Sequence, residues 1–121
     1  MIKAIKFVGI PVTDQDRALE FYTKKLGFRV VTDQPFDDNQ RWIELGIGKS
    51  STGIALFTPD GHESRVGSFS SISFLADDVM ATCRELAARG VTFIKEPEKA
   101  DWGTSAIFAD PDGNQFVLSS P

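Results

Sequence analysis

A chain of 121 residues, 41% hydrophobic and 25% charged, has room for one substantial core but not for two independent ones. Its net charge of −4 comes with scattered cations (Lys3, Lys6, Lys24, Lys25, Arg29) and no basic stripe among aromatics, which argues against nucleic acid as a partner. A lone cysteine, Cys83, an N-terminus without a secretory apolar core and no apolar run of membrane-spanning length predict a cytoplasmic protein with no membrane partner.

Residues 3–12 are rich in Ile, Val and Phe and predict a strand with Pro11 near its end. Thr13 and Asp14 then offer a cap, and Asp16 puts acid in a first turn where the helix dipole favours it. Ala18, Leu19, Tyr22 and Leu26 recur at helical spacing, with Lys24 and Lys25 in the last turn and Gly27 as the stop. One helix over about 14–26 follows. A strand over 28–32, extending toward Phe36, turns at Asp37, Asp38 and Asn39 into a second strand over 41–45. Residues 53–58 predict a further strand, and 59–69 form an irregular linker, the one segment free to act as a lid.

The plan then repeats. A strand over 71–76 pairs Ile72 with Val8, Phe74 with Ile10 and Ala76 with Val12. A helix over about 79–89 is capped by Asp77 and Asp78 and stopped by Gly90. Strands follow over 92–95, 104–109 and 115–119, with a loop through Pro97 to Gly103 and a tight turn over 110–114. The fold class is α+β: a single domain of two βαβββ modules, about 1–58 and 70–121, because neither copy can bury its apolar face alone.

Two signatures carry a family resemblance. The first is Val12-Thr13-Asp14, followed by residues 17–22 (RALEFY) and Leu26-Gly27-Phe28; the second is the closing turn Phe108-Ala109-Asp110-Pro111-Asp112-Gly113-Asn114. Together they resemble the vicinal-oxygen-chelate superfamily of glyoxalases, extradiol dioxygenases and bleomycin-resistance proteins. The resemblance implies paired modules that form a cup-shaped mixed sheet with helices outside, assembled as a homodimer. In metal-dependent members four cup-lining positions carry His, Glu or Gln. They correspond here to Phe7, Ala55, Ser71 and Val117, and none of these side chains is a competent ligand for a divalent metal. The expectation is therefore no metal and no cofactor.

Several other residues read two ways. Glu44 shares strand parity with Trp42 and is either a general base raised by burial in the cup or an exposed glutamate. His62 is either a lid base or a solvated loop histidine. Trp42, Phe57 and Trp102 offer a flat apolar wall or rim, or else core and dimer contacts. Ser71 and Ser73 share a face and can hydrogen-bond a ligand, but no His–Asp partner is evident to activate either as a nucleophile. Cys83 reads as a packed small residue. The reading that follows is a metal-free binder of a small hydrophobic or planar organic molecule, lined by Phe7, Trp42, Ala55, Phe57, Ser71, Ser73, Trp102 and Val117. Two alternatives stand: a lyase, isomerase or dioxygenase of the same superfamily using a non-standard base such as Glu44 or His62 or a displaced metal site, and a filled cup serving only as a dimeric interaction module.

Overall fold

Each strand–helix–strand repeat builds its own four-stranded sheet. The computed structural model describes residues 1–61 and 63–121 and falls into two compact units, Met1–Val66 and Gly67–Pro121. In the first, β1 (Phe7–Pro11), β2 (Arg29–Asp37), β3 (Gln40–Gly46) and β4 (Gly53–Phe57) lie in the order β1-β4-β3-β2. In the second, β5 (Phe69–Leu75), β6 (Thr92–Ala100), β7 (Gly103–Ala109) and β8 (Gln115–Ser119) repeat it as β5-β8-β7-β6. The first strand of each unit runs parallel to the last, and the remaining pairs are antiparallel hairpins. Two mixed sheets with one principal helix each make this an α+β fold of two βαβββ modules.

Helix α1 (Gln15–Glu20) starts where its cap predicts: the Asp14 carboxylate accepts from the Arg17 amide at 3.0 Å. It does not run on as one α-helix to Leu26. Residues Phe21–Lys25 form a π-helical turn, closed by the Leu26 amide donating to the Phe21 carbonyl at 3.2 Å, and the Thr23 hydroxyl donates to Leu19 O at 2.7 Å. Two adjacent aromatics are buried at this turn, with Phe21 5% and Tyr22 0% exposed, and the wider helix gives both access to the core. Helix α2 (Val79–Ala88) has the same cap, with Asp78 accepting from the Ala81 amide at 3.0 Å.

Alternation decides which sheet face is buried. In the first unit Ile10, Val12, Ile43, Leu45, Ile54 and Leu56 are buried together with Ala18, Phe21 and Tyr22 of the helical segment. In the second, Phe108, Phe116, Ala106 and Leu118 are buried along with Val79, Cys83 and Leu86 of α2, which packs on β6 and β7. Each large side chain so buried contributes about 1.5–3 kcal/mol. Phe74 stacks between Phe108 and Phe116, with ring centroids at 6.1 and 5.3 Å.

Two strands depart from expectation. Strand β1 joins the ladder only at Phe7, although Lys6 O and Ile5 O still accept from Gly53 N and the Thr52 hydroxyl. Strand β6 does not stop at Lys95 but continues through Pro97 to Ala100. It is an edge strand, and its register slips between Lys95 and Glu98, so the missing proline N–H breaks no ladder bond. The segment joining the units contains one short helical turn, Glu63–Arg65.

Two buried polar knots hold the modules in register. The Gln15 amide, 8% exposed, donates to Arg41 O at 2.8 Å and Leu56 O at 3.0 Å, while its oxygen accepts from Arg41 N at 2.9 Å. One side chain thus ties the start of α1 to β3 and β4. In the second unit the Asp110 carboxylate accepts from the backbone amides of Asp112 and Asn114 and from the Asn114 side-chain amide, at 2.8–3.0 Å. Asn114 Oδ1 in turn accepts from Gly67 N at 2.8 Å. Gly113 completes the turn at φ +85°, which a side chain would strain. Removing the Gln15 partner strands buried backbone groups, so Gln15→Ala is expected to lower stability by about 2–3 kcal/mol in urea unfolding. The near-isosteric Gln15→Glu should cost at least as much, because a carboxylate would face two carbonyls.

Candidate functional site

The sheet face of the first unit opposite its helix gathers half of the expected binding residues. Strand register sets it: β1 pairs with β4 as Phe7 with Gly53, Gly9 with Ala55 and Pro11 with Phe57. Glu44 on β3 lies opposite Ala55, and Gln34 and Thr32 on β2 lie opposite Trp42 and Glu44. Since paired residues share a face, Phe7, Trp42, Glu44, Ala55 and Phe57 stand on one surface. Phe7 meets Trp42 edge-on, with centroids 5.5 Å apart and planes at 76°. The Trp42 indole N–H donates to Glu44 Oε1 at 2.8 Å. Ala55 is buried, and Phe7, Trp42, Glu44 and Phe57 are half-buried.

Two contributors to this face did not stand out as site residues. Phe36 reaches Trp42 at 5.9 Å because it lies two residues from Gln34, the partner of Trp42, and so on the same face of β2. Gly9 leaves room for the Phe57 ring, since a Cβ there would come within 3.0 Å of it. An aromatic two residues from a strand glycine was the available signal for Gly9.

The second unit holds the remaining candidates on its own sheet. Ser73 pairs with Val117, and its hydroxyl hydrogen-bonds that of Ser119 at 2.7 Å. Ser71 does not take up the ladder position that Phe7 holds in the first unit. There Phe7 pairs with Gly53; here Phe69 pairs with Gln115, and the extra residues before Ser73 bulge out with Ser71 at φ +63°. Ser70 bridges the gap, its hydroxyl donating to Gln115 O at 2.7 Å and accepting from Ile72 N at 3.2 Å. Trp102 sits in the turn between β6 and β7, 69% exposed and at the opposite end of β7 from Ile107, the partner of Val117. His62 lies outside the described residues. A groove of about 230 Å³ opens in the first unit, lined by Val12, Thr13, Thr58, Pro59, Asp60, Glu63 and Val66.

The model of the Glyoxalase/Bleomycin resistance protein/Dioxygenase superfamily matches residues 4–118. The chain belongs to this superfamily. The uncharacterized protein YetH of Bacillus subtilis (strain 168) is 33% identical over 118 residues, 98% of each chain. A crystal structure of a superfamily member from Sphaerobacter thermophilus DSM 20745 superposes with a TM-score of 0.90 at 36% identity, covering 99% of this chain and 98% of that one. TnmS3, an antibiotic binding protein from Streptomyces sp. CB03234, superposes with a TM-score of 0.85 at 32% identity, covering 99% and 97%.

Superfamily members that use a metal need imidazole or carboxylate donors, and the residues at the corresponding positions do not fit one. Phe7, Ala55 and Val117 have no donor atom, and the Ser71 hydroxyl is a weak one turned into a bulge. Among the described residues no cluster of three or more His, Cys, Asp or Glu side chains could hold a metal ion elsewhere. No helix among them is long and apolar enough to cross a membrane. Cys83 is buried in α2, and burial, with the nearby Glu96 charge, pushes its thiol above the usual range. It is expected to react with Ellman's reagent more than about tenfold more slowly in native protein than in urea at neutral pH. Equal rates would mean that the α2 face is open to solvent.

Proposed function

We propose that the protein is a cytoplasmic, homodimeric, metal-free binder that sequesters a small hydrophobic or planar organic molecule. The observation that carries this reading is the replacement of every chelating position by Phe, Ala, Ser or Val, on a scaffold whose first sheet keeps an aromatic face of Phe7, Trp42 and Phe57. Rings at right angles present both an edge and a face, so a flat molecule laid against them gains contact area without any covalent chemistry. The likeness to an antibiotic binding protein over nearly the full chain supports the same class of action. Phe7, Trp42, Ala55 and Phe57 would line the site on the first unit, and Ser71, Ser73, Trp102 and Val117 are the ligand-binding candidates of the second.

Binding without turnover needs no Lewis acid, because nothing has to polarise an oxygen or hold an enolate. Equilibrium dialysis against Ni, Zn, Fe and Mn followed by metal analysis should find well under one equivalent per chain. Stoichiometric metal surviving dialysis would overturn the reading. Sedimentation of the purified protein should give a single dimeric species.

A further inference from the structure

We propose that the ligand of the first-unit sheet face carries a positive charge: an organic cation seated on Glu44 in the corner between the Phe7 and Trp42 rings. This rests on the reading of that face as the ligand site, and it names the ligand's chemical class. Three observations meet there. Glu44 is half-buried on an otherwise aromatic and small-residue surface, opposite buried Ala55. The indole N–H of Trp42 holds one carboxylate oxygen, which fixes the rotamer and leaves Oε2 free to receive a donor. Phe7 stands nearly perpendicular to Trp42 and Phe36 lies tilted on it, so the indole that holds the carboxylate is itself the centre of an aromatic cluster whose ring faces can attract a cation.

The charge bookkeeping favours a cation from outside. Arg29 is the cation that the ladder puts on this face, opposite Gly46. It is spoken for: its guanidinium packs over the Gly46 backbone and donates to Gly48 O, so it forms no ion pair with Glu44. Arg41, one residue from Trp42, points its guanidinium to Asp16 and Asp33 instead. Glu44 is thus a carboxylate fixed by a hydrogen bond, walled by aromatic rings and left without an ionic partner among the described residues. A neutral planar ligand would gain only the rings and would cover the carboxylate at a desolvation cost. A quaternary or protonated amine attached to a flat apolar body would satisfy both.

The test compares quinoline with N-methylquinolinium at neutral pH, two molecules of nearly equal shape that differ in charge. Binding is followed through the Trp42 indole cross-peak in 15N NMR titrations, assigned with Trp42→Phe. The cation is expected to bind at least about tenfold more tightly than quinoline to the native protein. In Glu44→Gln, which keeps the acceptor for Trp42, that preference should fall to within about twofold, the cation losing affinity while quinoline, freed of the cost of covering a carboxylate, binds no more weakly than before. Equal affinities in the native protein, unchanged in Glu44→Gln, would overturn the charge inference and leave the binder reading standing. A Trp42 cross-peak that neither probe moves at any concentration, as when a second copy of the chain covers the face, would overturn both.

Discussion

Register among β1, β4 and β3 is the constraint on which the rest of the first unit depends. Because side chains alternate across a sheet, seating Ile10, Leu56 and Ile43 in the core commits their neighbours to the other face. A slip of one residue would send Phe7, Gly9, Ala55 and Glu44 into the core and expose the isoleucines. Gln15 reinforces the commitment, since its amide reads Leu56 O on one strand and the Arg41 backbone on the next. The core and the candidate site are two sides of one pairing pattern.

The two modules share a plan but not a chemistry. In the first, the open face is aromatic and carries a carboxylate. In the second, the corresponding strands present Ser73, Val117 and Ser119, and the strand that should echo Phe7 is bulged at Ser71. The bulge is locally satisfied by the Ser70 hydroxyl, so it costs little in hydrogen bonding while it moves Phe69 into the ladder. The buried Asp110–Asn114 knot does for the second unit what Gln15 does for the first: backbone and side-chain amides neutralise a buried carboxylate and fix the β7–β8 turn. The turn signature that carries the superfamily resemblance is therefore explained by folding alone.

A scaffold that elsewhere positions metal donors retains its geometry here without them. The first-unit face offers apolar area, aromatic rings and one oriented carboxylate.

Element order, both helix caps, the duplicated βαβββ plan and the superfamily could be read from residue patterns, because caps, turn glycines and apolar alternation are local signals. Other features required the folded chain. The π-turn at Phe21–Lys25 arises because two adjacent aromatics compete for one core, and β6 passes Pro97 because that strand lies at an edge. The Ser71 bulge comes from a register slip that no periodicity announces. Nor could strand parity alone reveal that Trp42 grips Glu44, since a hydrogen bond between side chains depends on rotamers that only the packed neighbours select.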